Sequence, residues 1–215
     1  MVIRQSNQRG PITNKLVFNL HAFFISKRRQ EALTEHLIQL LGVDYPLVGL
    51  DVGCGRGEII SQIHRRCPRV NIHGIDVVKR ENTVVDVLEF DGKKIPFEDK
   101  SHDFTMLVDV LHHVDEPLVL LKECVRVTRK FIIIKDHICN SGWDRARLSL
   151  MDWVGNQGYK ANFPHNYLSQ TQWDNAFNIC HIKKEREITD LKLYPKFFHY
   201  LFEDNLHFIS KFVIL

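Results

Sequence analysis

Apolar residues change their spacing several times along this chain, and each change marks an element. Leu33, Leu37, Leu40 and Leu41 fall at i, i+4, i+7 and i+8 on one helical face, with Gly42 placed to end the helix. That helical segment is expected over 16–41, behind a frayed arm at residues 1–14. From Leu47 a short apolar run without alternation leads to the acid Asp51, as in a central parallel strand covered on both faces. After a glycine-rich turn, Ile59, Ile60 and Ile63 return to helical spacing. Further strands are predicted at 70–75, 83–88, 103–108 and 131–137, with a helix over 116–127 that places Leu120, Leu121, Cys124 and Val127 towards the core. A helical piece is expected around 145–153. Ser169-Gln170-Thr171-Gln172 matches a capping box opening another helix. Residues 182–188 and 207–215 supply two last strands, antiparallel at one edge. Strands alternating with helices in this order predict an α/β fold, a doubly wound, mostly parallel seven-stranded sheet with one antiparallel strand.

Composition narrows the class. The 215 residues suffice for one sizeable core, and 44% hydrophobic with 26% charged residues is ordinary for a globular chain. A net charge of +3 is too small to imply a nucleic-acid partner, so basic runs such as Lys27-Arg28-Arg29 read as solvated faces. The five cysteines are odd in number and never in C-x-x-C spacing, which predicts a reducing, cytoplasmic setting and no zinc site. Asn19 and His21 interrupt the apolar stretch Leu16 to Ile25, so no membrane span is expected.

The chemistry begins at the glycine turn, Asp51-Val52-Gly53-Cys54-Gly55-Arg56-Gly57. Its D-x-G-x-G-x-G spacing differs from the G-x-G-x-x-G of dinucleotide-binding loops. A carboxylate two residues before the first glycine repels a pyrophosphate and attracts an ammonium or sulfonium. That favours S-adenosylmethionine over NAD, and a Rossmann oxidoreductase is disfavoured. Here the chain resembles the class I S-adenosylmethionine-dependent methyltransferases, of the ubiquinone and menaquinone biosynthesis type. The resemblance implies that Asp51, Gly53, Cys54 and Gly55 belong to the cofactor loop. Asp76 ends the second strand, 19 positions beyond Gly57, where doubly wound folds hold a ribose. The block from Glu89 to Asp103 resembles the family's D-A-x-x-L-P-F-x-D-x-S-F-D signature, with Gly92 for Ala and His102 for Phe. By that resemblance Asp91 accepts from the adenine amino group and the Gly92 backbone donates to the ring. Asp109, at the end of the fourth strand, becomes a candidate partner for the cofactor's ammonium group.

Residues 1–215 thus read as one methyltransferase domain. Its parts are an arm and capping helices (1–45), a cofactor-binding core (47–137), a lid insertion (138–170) and a C-terminal helix and strands (171–215). His137, delivered to the rim by the fifth strand, is the first candidate general base, with His112 and His113 as fallbacks; a structural role for each is equally open. Trp153, Tyr159, Phe163 and Tyr167 are expected to form an aromatic lid, and Phe18, Phe23 and Phe24 to cap the pocket or pack on the sheet. No metal is expected, since adjacent histidines without a third ligand are a poor metal signature. The D/N-P-P-Y/F/W tetrapeptide of planar-amine methylation is absent, which favours a small, partly apolar acceptor reacting at oxygen or carbon, with S-adenosylhomocysteine as product. The alternative is a catalytically silent relative that binds cofactor or protein through the same fold.

Overall fold

The computed structural model describes residues 12–42, 45–155, 166–189, 191–194 and 205–215, with side chains omitted for 12–26 and 152–155. In chain order the elements are α1 (Ile12–Leu41), β1 (Leu47–Val52), α2 (Glu58–Arg66), β2 (Val70–Asp76), β3 (Val87–Glu89), β4 (His102–Val108), a 3-10 turn (Leu111–His113), α3 (Pro117–Val127), β5 (Thr128–His137), α4 (Gly142–Gly155), α5 (Gln170–Ile179), β6 (Ile182–Ile188) and β7 (His207–Ile214). The strands form one sheet in the order β3-β2-β1-β4-β5-β7-β6. β7 runs antiparallel to both β5 and β6, and the other neighbours are parallel.

Side-chain alternation along the central strands feeds two cores, one on each face of the sheet. On β5, Ile132 and Ile134 join Leu120, Leu121, Trp173 and Phe177 from α3 and α5. Phe131 and Ile133 join Leu33, Leu37, Ile60 and Ile63 from α1 and α2. This two-sided covering explains the apolar stretches Leu47 to Leu50 in β1 and Phe131 to Ile134 in β5. Gly49 on β1 is required by packing: a Cβ there would stand 2.2 Å from the Phe104 ring, which itself stacks on Phe131 at 5.4 Å.

Helix ends follow their local chemistry. Pro117 occupies the first turn of α3, where its missing N–H costs nothing. Ser169 and Gln172 form the reciprocal capping box that opens α5. The third strand is shorter than the β-branched run at 83–88 predicts. Val84 donates its amide to the Arg56 carbonyl at 2.9 Å and Val85 packs over Gly57, so the run is spent bracing the glycine loop before β3 begins. Among the described residues no helix is long and apolar enough to cross a membrane.

Candidate functional site

The glycine loop joins β1 to α2 and is stitched to the tip of β2. The Gly53 and Cys54 amides both donate to the Ile75 carbonyl, at 2.8 and 3.1 Å. Gly57, at φ 80°, caps α2, and a Cβ on it would lie 2.2 Å from Val85 Cγ2. Gly55, at φ 62°, is the reverse case: its Cβ would meet nothing within 4 Å, leaving bare backbone beside open space. Asp76 binds this loop directly, Oδ2 accepting from the Gly55 amide at 2.7 Å and Oδ1 from the Val78 amide at 3.1 Å. Each oxygen keeps a second lone pair for a ligand hydroxyl. Asp51 lies deeper in β1. Burial, and then Asp76, push its carboxyl up to about 8.

Next to Asp76 comes the stretch after β3, where Phe90 donates its amide to the Asp76 carbonyl at 3.1 Å. The Asp91 carboxylate turns outward: its Oδ1 accepts from the Lys93 and Lys94 amides, both at 2.8 Å. Those amides, Lys94 first, hold its carboxyl below the usual range. The following segment is pinned to α3 by two residues that sequence reasoning passed over. Arg126 donates to the Ile95 and Phe97 carbonyls, each at 2.9 Å, and Glu123 accepts from the Ile95 amide at 2.9 Å. His102, standing where the resembled signature has Phe, fills the aromatic place by meeting Phe97 edge-on at 4.8 Å. Both its ring nitrogens are partnered, by His73 at 3.1 Å and by Ser101 at 2.9 Å, and burial pushes its pKa down to about 4.

At the ends of β4 and β5 lies a dense ionic cluster. Asp109 has a left-handed backbone, φ 57°, and its carboxylate pairs with Arg29 on α1 and with Lys135 on β5. Burial tends to raise this carboxyl, but Arg29 and Lys135 outweigh it and hold it well below the usual range. Lys135 is fully buried and also reaches His207 Nδ1 at 3.2 Å. Behind it, Asp136 Oδ1 accepts from His112 Nδ1 at 2.6 Å and from the His137 amide at 2.8 Å, while Oδ2 takes the Leu111 amide at 3.0 Å. His137 lies 3.3 Å from His112, nitrogen to nitrogen, and its carbonyl accepts from Trp173 Nε1 at 2.8 Å. Burial, with Lys135 and His112 beside it, pushes His137 down to about 4, so its imidazole is neutral near pH 7. Tyr167 packs against His112 and His137, with ring centroids 5.8 and 6.1 Å away. Of the other aromatics expected in a lid or cap, Tyr159 and Phe163 lie outside the described residues, as do the side chains of Trp153, Phe18, Phe23 and Phe24.

These elements surround a cavity of about 390 Å³. Gly53, Cys54, Gly55, Asp76, Gly92, Asp109 and His113 border it, joined by Arg29, Arg80 and Phe90. Asp51, Asp91, His112 and His137 do not form its wall. In the ionic cluster, Arg29 and Lys135 are residues that sequence reasoning missed. Lys135 carried a signal, a lone cation closing the apolar run 131–134, whereas Arg29 sat inside a basic run that reads as solvated. Donor atoms of Asp109, His112 and His137 come within 4.8 Å of one another, a spacing able to hold a metal ion. The Lys135 ammonium already supplies a positive charge to that carboxylate, so the donor set is balanced by the chain itself.

Residues 50–131 match the methyltransferase domain family. The matched segment runs from β1 into β5 and holds the glycine loop, Asp76 and Asp109. No curated protein matches the chain by sequence. Solved structures sharing the domain's fold include an S-adenosylmethionine-dependent methyltransferase from Aquifex aeolicus, 20% identical with a TM-score of 0.57 over 85% of this chain and 89% of that one. A geranyl diphosphate C-methyltransferase from Streptomyces coelicolor A3(2), in complex with Mg2+, geranyl diphosphate and S-adenosyl-L-homocysteine, is 15% identical with a TM-score of 0.63 over 86% and 80%. The cyclase SpnF is 14% identical with a TM-score of 0.62 over 85% and 79%. At these identities the likeness is one of fold. The cavity suits S-adenosylmethionine on its own terms: Gly55 leaves open space beside bare backbone, Asp76 offers two acceptors, and the paired Arg29 and Asp109 bring both signs of charge to its wall.

Proposed function

We propose that this chain, acting as one methyltransferase unit, transfers the methyl group of S-adenosylmethionine to a small, partly apolar acceptor at oxygen or carbon. The observation that carries the reading is the cavity at the strand ends, which Gly55, Asp76, Gly92 and Asp109 border together. When bound, the cofactor supplies a sulfonium methyl electrophile.

The chain's own residues do the remaining work. Asp76 accepts from the ribose hydroxyls through the lone pairs that Gly55 and Val78 leave unused. The Gly53-Cys54-Gly55 backbone lies along the cofactor, and Gly92 and Phe90 flank the adenine, while Asp91, off the wall, shapes that turn through the Lys93 and Lys94 amides instead of reaching the exocyclic amine. Asp109 faces the ammonium group. Asp51, with its raised carboxyl, supports the loop from beneath. Rate is gained chiefly by aligning the acceptor with the methyl group and excluding water. His113 borders the cavity and is therefore the best placed of the three candidate histidines to take a proton from a weakly acidic acceptor. His112 and His137, behind Asp109, orient the network.

A second reading, a member without methyl-transfer activity, is favoured by one observation: the same fold serves the cyclase SpnF. Calorimetry with S-adenosylhomocysteine and NAD, followed by mass spectrometry of a panel of phenols, quinone precursors, carboxylates and amines, separates the readings. Binding and methylation support the proposal. Binding with no methylated product across the panel supports the second reading, and NAD binding alone ends both.

A further inference from the structure

The turn that follows β4 has no cap of its own. Val110 precedes the 3-10 turn Leu111–His113 and makes no side-chain bond to it, although the amides that open a helical turn have no partner within it. The missing acceptor comes from another strand. Asp136, fully buried on β5, takes the Leu111 amide on Oδ2 at 3.0 Å and His112 Nδ1 on Oδ1 at 2.6 Å. Burial tends to raise this carboxyl, but His112 and His137 outweigh it and hold it below the usual range. An ionised carboxylate can only accept, so His112 carries a proton on Nδ1. From the opposite side Asn166 donates its amide to the His112 carbonyl at 2.9 Å and its Nδ2 to the Val114 carbonyl at 2.7 Å. His113 therefore lies between two pinned neighbours, and its own amide closes the turn on the Val110 carbonyl at 2.9 Å.

Resting on the reading of His113 as the base at the cavity wall, we infer that Asp136 is a positioning residue for methyl transfer. By holding the Leu111 amide and one tautomer of His112, it fixes the direction in which the His113 ring meets the cavity. Asp136 is not part of the cavity wall and acts through the turn alone. Its bonds to the turn span 25 and 24 positions of sequence, so β5 sets the shape of the turn where Val110 cannot. The choice of residue supports such a role. A buried carboxylate is costly, and well-packed apolar side chains commonly replace buried ions without loss of stability. Phe131 to Ile134 on the same strand are apolar, yet a carboxylate stands directly behind the turn. It matches in one place two donors of fixed direction, which an apolar side chain cannot do.

Nuclear magnetic resonance of the full chain with isotope-labelled histidine tests the role, with S-adenosylhomocysteine as the probe. In the native protein His112 is expected to show a proton on Nδ1, and the His113 ring signals to shift when S-adenosylhomocysteine is added. Asp136→Asn keeps the size of the side chain but turns a donor towards the turn. It is expected to lose the His112 signature and the His113 response together, while S-adenosylhomocysteine affinity by calorimetry stays within about threefold of native. His112→Asn puts an amide donor where Nδ1 stood and should keep the His113 response, whereas His112→Leu should lose it. Rescue by the donor alone is an outcome that a merely structural role would not produce, and this pair carries the same contrast should Asp136→Asn not fold. A His113 response that survives in both Asp136→Asn and His112→Leu, or a native His112 protonated at Nε2 alone, overturns the positioning role and leaves the cofactor reading intact. Bound S-adenosylhomocysteine that leaves the native His113 ring unmoved overturns the reading of His113 and the role of Asp136 with it. No binding of S-adenosylhomocysteine by the native protein overturns the cofactor reading as well.

Discussion

Gly55 donates its backbone amide to Oδ2 of Asp76 at 2.7 Å, so the residue best placed for the ribose is also a strut of the glycine loop. Replacing Asp76 therefore has two consequences. Asp76→Ala is expected to weaken S-adenosylhomocysteine binding by about 2 to 3 kcal/mol, the scale for losing charge-assisted hydrogen bonds. It should also lower the melting temperature, because the Gly55 and Val78 amides lose their acceptor. Calorimetry and thermal denaturation on the same sample measure both. Unchanged affinity in a folded variant moves the ribose contact elsewhere.

The glycines of the loop should part company under substitution. Gly57→Ala forces a Cβ against Val85 and strains a left-handed backbone, at a cost of about 2 kcal/mol or more. Gly55→Ala meets no protein atom, so its stability cost should stop at about 1 kcal/mol for the conformation, while cofactor affinity falls. Val85→Ala should recover part of the Gly57→Ala loss and none of the Gly55→Ala loss. Equal effects of the two glycine variants on affinity would contradict the placement of the ligand beside Gly55.

Acid and base are expected to destabilise the fold through different residues. His137 and His102 sit near 4 in the folded chain against 6.5 for the free group. Between those values the unfolded chain binds protons that the folded one refuses, so stability rises with pH. Asp51 works the other way: near 8 when folded and 3.8 when free, it favours the folded chain at low pH and loses that advantage as pH rises through 8. Two histidines outweigh one aspartate below 6.5, and of these three groups Asp51 alone changes above it. These groups place the stability maximum near pH 6.5, readable from urea denaturation at pH 4.5, 6.5 and 8. Asp51→Asn should level the alkaline limb; a limb that persists in that variant assigns it to other groups.

The three rim histidines should separate by single substitution once an acceptor is found. His113→Ala, on the cavity wall, is expected to reduce turnover by about a hundred- to ten-thousandfold if the acceptor is weakly acidic, with S-adenosylhomocysteine affinity kept. His137→Ala is expected to act on stability, by about 2 to 4 kcal/mol for a buried ring with hydrogen-bonded neighbours, and to change specific activity little. The opposite pattern returns the role of base to His137.

Much of this architecture is legible before any coordinates. Apolar runs at 47–50 and 131–134 mark central strands because two-sided burial leaves no polar face, and Ser169 with Gln172 marks a helix start by its own hydrogen bonding. The β-branched run at 83–88 misleads because β propensity does not distinguish pairing from packing: Val84 and Val85 brace a loop instead. The site is legible where backbone chemistry dictates residue type, as at Gly55 and Asp76. It is not legible where a charge finds its partner through the fold. Lys27 and Arg28 are exposed, as a basic run suggests, yet the next residue turns inward to Asp109, 80 positions away. Only the docking of α1 reveals that pairing.

The position of β7 in the sheet bears on how the site is assembled. β7 is the latest strand in sequence, yet it lies between β5 and β6, and its first residue, His207, meets Lys135. β6 therefore has no place on the sheet until β7 has threaded between it and β5, and Lys135 lacks one of its neighbours until then. During synthesis the glycine loop, Asp76 and the Arg29, Asp109 and Lys135 cluster all precede His207, so the last contact to reach that cluster is the one from β7. Long-range pairing of this kind is slow to form. A nascent chain would thus carry every charge of that cluster before the sheet closes, and the arrival of β7 would seal the buried side of Lys135.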